Sequence, residues 1–194
     1  AINLVVLFFM ALCAMHFGLI YAVFATRSFK PFKNTVTKYY FGSIAVMTLL
    51  IMFSLMSDGG YESWGRAAID SLFTVVSYMT TTGFAICDNS AWPWLACIVL
   101  LFVSFHCGCS GSTTGGIKVD RILIAFKAIG HEIRHRLHPL EVSHVRLSGH
   151  HLSDSSVKSV MMYIVTYVLL IFVSILVVMM CGTNATDAVS GVIA

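Results

Sequence analysis

Thr80, Thr81 and Thr82 run into Gly83 and Phe84 within the stretch SYMTTTGFAICD, Ser77 to Asp88. Hydroxyls beside a glycine suit the binding of a dehydrated cation, which needs oxygens in place of its water. Rings of backbone carbonyls supply such oxygens in selective channels. Extended backbone turns carbonyls toward a pore, and Gly83 permits dihedrals that a β-carbon would forbid. Threonine hydroxyls add further acceptors.

A second stretch, CGCSGSTTGG from Cys107 to Gly116, carries Gly108, Gly111, Gly115 and Gly116. Each glycine costs roughly 1 kcal/mol against helix, so a helix that reaches it should break. Other chemistries fit parts of it less well. GSTTGGIK, Gly111 to Lys118, resembles a phosphate-binding loop but has Ile117 where G-x-x-x-x-G-K-[ST] requires lysine. GCSG, Gly108 to Gly111, fits the Gly-x-Ser-Gly of rhomboid-like intramembrane proteases, with His16 of AMHFG as a base for Ser110. In rhomboids, however, the histidine span follows the serine span, and here no histidine lies in an apolar core after Ser110. Cys107-x-Cys109 beside His106 has metal-binding residue types, but a packed pair of small residues is the simpler reading. The other cysteines, Cys13, Cys87, Cys97 and Cys181, show no disulfide-framework or zinc spacing.

Composition says what medium surrounds these residues. The chain is 58% hydrophobic and 11% charged, with mean hydropathy +0.86. Soluble domains carry roughly 25% charged residues, so this is an integral membrane protein. Its 194 residues leave room for several spans. An apolar run starts at Ala1 with no basic region before it and is too long for a signal-peptide core. Another apolar stretch reaches Ala194, and the chain is expected to be a piece of a longer protein.

Four stretches lack charge and are long enough to cross as helices: Ala1 to Ala25, Tyr39 to Ser57, Asn89 to Ile117 and Ser159 to Thr186. Arg66 to Met79 is only about 21 Å of helix, too short for ~30 Å of hydrocarbon. Arg27, Lys30, Lys33 and Lys38 follow the first span. Lys118, Arg121, Lys127, Arg134, Arg136, Arg146 and Lys158 follow the third. Basic residues mark the cytoplasmic side, so spans one and three exit inward and spans two and four outward. Asp58 to Asn89 must then leave and return on the outer face. A half-length helix followed by TTTGF is a re-entrant loop, permitted only where it is buried in protein or lines a watery cavity. The helix would point its partly negative C-terminal end toward the membrane centre, which favours a cation there.

The unit also repeats. AIDSLFTVVS, Ala68 to Ser77, is similar to ATDAVSGVIA, Ala185 to Ala194, and a basic residue and an apolar span precede each. Internal symmetry is common in transport proteins. SYMTTTGF on a re-entrant loop, followed by a span broken at GCSGSTTGGIK, resembles the membrane subunit, of TrkH type, of the Trk/Ktr potassium-uptake family. The resemblance covers nearly the whole chain. It implies an all-α integral membrane fold of repeated span–pore helix–span units of potassium-channel type, with the third span broken. Four such units would surround a central pore.

On that pattern the chain holds the final span of a preceding unit (1–25), a cytoplasmic linker (26–38), a complete unit (39–128), a basic cytoplasmic linker (129–157) and the opening of the next unit (158–194). Thr81, Thr82, Gly83 and Phe84 would form one quarter of a potassium filter, through backbone carbonyls and threonine hydroxyl. The loop of Gly108, Gly111, Ser112, Thr113, Thr114, Gly115 and Gly116, with Lys118 below it, would be a gate beneath the filter. As one helix, Trp92 to Lys127 would be about 54 Å long, so a simple kink that relieves length is the bland alternative.

The resemblance further implies potassium as the transported ion, no enzymatic activity and a bacterial cytoplasmic membrane location. Its implied partners are a homodimer mate, membrane lipid and a cytoplasmic nucleotide-binding regulatory subunit of TrkA type, with no nucleic acid. A sodium- or proton-coupled secondary transporter with broken helices is the runner-up. The basic segment from Lys127 to Lys158 fits a docking surface or anionic headgroups. His16 and His106 read as packed core histidines. Asp70 reads as a partner of Arg66 or nearby backbone, and Asp88 as an outer-mouth or solvated acid. His131, His135, His138, His144, His150 and His151 populate the linker without clean metal spacing.

Overall fold

The computed structural model describes residues 2–28, 32, 34–89, 91–138, 146–147 and 150–193. Lys30, Lys33 and His144 lie outside them, as do residues 139–145 and 148–149 of the basic linker and the side chains of Arg146, His150 and His151. The described chain is helical apart from a two-stranded antiparallel pair, β1 (Arg146–Leu147) with β2 (His150–His151).

The apolar run from Ala1 to Ala25, expected as one span, is two helices. α1 (Ile2–Cys13) and α2 (Phe17–Thr26) meet at 97°. A break at membrane depth frees backbone groups that must find partners. Ala11 O accepts from Tyr40 Oη at 3.1 Å, and Ala14 O accepts from Cys109 N at 2.9 Å. His16 Nδ1 accepts from Gly18 N at 3.0 Å, capping α2. Phe17 N donates to Gly111 O at 3.2 Å. Two of these partners come from the glycine-rich stretch, so the bend is held by residues about a hundred positions away.

α3 (Thr35–Ser57) has 23 residues, about 35 Å of helix, and is long and apolar enough to cross a membrane. α4 (Trp64–Met79) has 16 residues, about 24 Å, and stops short. α5 (Trp94–His106) and α6 (Val119–Leu137) are the two halves of the broken third span. α7 (Asp154–Met180) has 27 residues and can cross; Ser153 Oγ caps it by accepting from Ser156 N at 3.2 Å. α8 (Ala185–Ile193) follows a turn at Gly182, as α4 follows one at Gly59.

The core lies where α3, α4 and α5 pack together, around Ile51, Leu55, Phe73, Val76, Met79 and Val103. Full burial of such side chains contributes about 1.5–3 kcal/mol each. α7 buries none of its residues and touches α6 and α8. Arg121 sits 3.9 Å over the Tyr163 ring, joining α6 to α7.

Candidate functional site

Three side chains on one face of α4, at i, i+4 and i+8, tie the helix to the two limbs of its loop. Asp70 Oδ2 accepts from Tyr61 Oη at 3.1 Å on the incoming limb. Thr74 Oγ1 lies 3.9 Å from Cys87 Sγ on the outgoing limb. Tyr78 Oη accepts from Asn89 Nδ2 at 3.1 Å. Burial and the Asp70 carboxylate push the Tyr61 hydroxyl up to about 12, so it stays a donor. The expected Arg66–Asp70 pair is present at 3.9 Å, but Arg66 is 81% exposed and adds little.

Beyond α4 the chain turns sharply. Thr80 N, Thr81 N and Thr82 N donate back to Val76 O, Tyr78 O and Ser77 O at 2.9, 3.2 and 3.2 Å. Thr81 (φ 53°) and Gly83 (φ 72°) adopt left-handed backbone, a conformation glycine takes without penalty. Thr80 and Thr82 hydroxyls lie 3.1 Å apart, and Thr82 Oγ1 donates to Met10 Sδ of α1 at 3.0 Å. Thr81, Thr82, Gly83 and Phe84 are exposed. Among the described residues none of their four carbonyl oxygens accepts a hydrogen bond.

Gly108, Gly111, Ser112, Thr113, Thr114, Gly115, Gly116 and Lys118 fall in one loop. Val119 N closes its base on Gly108 O at 2.9 Å. One side of the loop is pinned: Cys109 N and Gly111 O pair with the α1–α2 break, and Ser110 N donates to Asp120 Oδ2. The other side approaches the threonines, since Gly115 N donates to Thr81 Oγ1 at 3.3 Å. Lys118 Nζ turns back into the loop, onto Thr114 O at 2.6 Å and Ser112 O at 3.3 Å. His16, expected as a packed core histidine, is exposed and caps α2 beside Gly111, whereas His106 is buried and stacks on Tyr39, their ring centroids 5.5 Å apart.

Two glycines here are required by close approach. A β-carbon on Gly108 would stand 2.7 Å from Ala14 O, and one on Gly116 would stand 2.1 Å from Cys107 Sγ, on backbone at φ 70°. Gly115 has open space. Gly116→Ala is therefore expected to destabilise the full-length protein by about 2–4 kcal/mol. Gly115→Ala should change stability by less than about 1 kcal/mol. Thermal melts of the two variants in detergent check this; equal melting temperatures would contradict it.

Between the incoming and outgoing limbs lies a cavity of ≈ 700 Å³ lined by Asp58, Glu62, Asp70 and Asp88, with Arg66 and Tyr61. Sequence reading did not single out Asp120, Tyr40 or the bend at Ala14 to His16. A histidine and a glycine inside an apolar run were the available signal for the bend. Nothing local marked Tyr40 as the partner of Ala11.

The family model described as TrkH, a cation transport protein, matches residues 60–194. The potassium uptake protein TrkH of the Trk system of Vibrio parahaemolyticus is 34% identical over 100% of this chain and 41% of its own length. TrkG of the Trk potassium uptake system of Escherichia coli K12 is 35% identical over 87% of this chain and 35% of its own length. The crystal structure of the potassium transporter TrkH from Vibrio parahaemolyticus superposes with TM-score 0.91 at 31% identity, covering 99% of this chain and 42% of that one. The chain thus spans about two fifths of the length of these curated relatives.

Proposed function

The chain belongs to the TrkH family of cation transport proteins, and from that membership we propose that it forms part of a potassium-uptake path across the bacterial cytoplasmic membrane. The observation that carries this reading is the exposed stretch Thr81 to Phe84, whose four carbonyls are unused by the described chain. It is held at the C-terminal end of a half-length helix, whose partly negative end favours a cation. Thr81, Thr82, Gly83 and Phe84 supply one quarter of the filter; three further units, outside or only begun in this chain, supply the rest. The unit conducts rather than catalyses.

The glycine-rich loop, from Gly108 to Gly116, acts as the gate. The hydrogen bond from Gly115 N to Thr81 Oγ1 supports this reading, and Lys118 adds positive charge to the loop. The basic α6 and the linker after it suit a cytoplasmic regulatory subunit of the nucleotide-binding kind, and the whole protein works as a homodimer.

Full-length protein in liposomes tests the reading. With a potassium gradient alone, potassium should enter, and external sodium should compete weakly. Entry only when a sodium or proton gradient is imposed would replace conduction with coupled transport. No potassium entry under any gradient would end the reading.

A further inference from the structure

Lys118 is half-buried, and no carboxylate pairs with it among the described residues. The nearest acid in sequence, Asp120, is used by Ser110 N. The ammonium is instead held by two backbone carbonyls, Thr114 O at 2.6 Å and Ser112 O at 3.3 Å. A charge withdrawn from water needs such partners. Oxygen without countercharge is the chemistry by which a filter holds a dehydrated cation. An alkylammonium head and a potassium ion are similar in size and make the same demand on oxygens.

The loop is built to keep those carbonyls together without lysine. Ser112 Oγ donates to Cys109 O at 2.6 Å and lies 2.8 Å from Thr114 Oγ1. Ser112 N also donates to Cys109 O, at 3.3 Å. Cys109 is fixed in turn to Ala14 O. The two acceptors therefore stand on a scaffold pinned to the α1–α2 break. Lys118 itself takes positive φ (77°, with ψ 136°), and its side chain lies back over the loop. A lysine in ordinary helical continuation would point away.

We propose that Ser112 O and Thr114 O form a monovalent-cation site on the cytoplasmic side of the filter, and that Lys118 is a tethered cation filling it. The inference rests on the reading of Thr81 to Phe84 as a filter. While the ammonium sits on these carbonyls, a permeant ion leaving the filter finds the next oxygens taken and a like charge in place. Withdrawal of Lys118 hands the same oxygens to the ion, so that the closed plug becomes a stepping site.

Anomalous scattering from full-length protein crystals grown in rubidium chloride tests this. Wild type should show rubidium on Thr81 to Phe84 and none between Ser112 O and Thr114 O. Lys118→Met should gain a peak there. Lys118→Gly is the second variant, because glycine takes positive φ without strain and has no side chain to reach either carbonyl; it should gain the same peak. Rubidium on the filter of both variants with none at the loop would overturn the tethered-cation site. A loop that loses its order in both variants would overturn it too, since the site must exist without the lysine. Wild-type protein with no rubidium on Thr81 to Phe84 would overturn the filter reading instead.

Discussion

Deletion of Ser112 to Gly115 is expected to raise potassium flux through the full-length protein about tenfold and to weaken its dependence on a regulatory partner. The four residues carry the contact to Thr81 and both carbonyls that hold Lys118. Ser112 is tied to Cys109 and Thr113 Oγ1 donates to Cys13 O at 3.5 Å, but the backbone pins to the α1–α2 break, Cys109 N and Gly111 O, remain in the variant. Gly111 is kept, because its carbonyl accepts from Phe17 N. Removing a blocked state favoured by about 1.4 kcal/mol raises the open population by a factor near ten. A partner can tip states so close in energy only by binding one of them more tightly. The kink reading makes the opposite prediction: less folded protein and no gain of flux. A deletion variant that is well expressed and conducts no faster than wild type, with or without the partner, would rule out the gate.

Gly83→Ser is expected to lower the preference for potassium over sodium about tenfold while leaving the protein folded. Gly83 has φ 72°, and nothing in the described chain lies within 4 Å of a β-carbon placed on it. The substitution therefore meets no clash. Its cost is backbone strain, about 1–2 kcal/mol for an L-residue in left-handed conformation. Most of that strain can be relieved by rotating the adjacent peptides, which moves the carbonyls of Thr82 and Gly83. A loss of about 1.4 kcal/mol in the difference between two ions is a factor of ten. Uptake kinetics should show a raised apparent KM for potassium and increased sodium entry. Unchanged kinetics for both ions would remove Gly83 from the filter.

Much of this architecture was legible because the membrane simplifies the code. Charge-free length located α3 and α7, and the short run from Arg66 to Met79 marked the half-length helix α4. Glycine density placed the break between α5 and α6 at Cys107 to Gly116, where the helices stop. The bend in the first span was not legible, because Ala14, Met15 and His16 carry no strong local veto on helix. What breaks the helix there is tertiary: Cys109 N and Gly111 O offer the backbone partners that a continuous helix would have supplied. Residue types alone marked the threonines as oxygen donors, but not the division of labour among them. Thr82 is tied to Met10, while Thr81 alone reaches the glycine loop. Lys118 was legible as a charge below the loop, but not as one folded back into it. That depends on its positive-φ backbone, which lysine seldom adopts and no local pattern announces.

Labelling from one side of the membrane decides whether residues 58–89 form a re-entrant loop. In a re-entrant loop, residues 58–89 enter and leave on the outer face, with Thr81 to Phe84 at the turn. Ser63 and Asp88 are exposed on the two limbs. Single cysteines at these positions, in full-length protein lacking its native cysteines, should both react with an impermeant thiol reagent on intact cells. Permeabilising the cells should add little further labelling. Reaction of Ser63→Cys from outside and of Asp88→Cys only after permeabilisation would mean that the segment crosses the membrane. The re-entrant loop, and the filter built on it, would then be wrong.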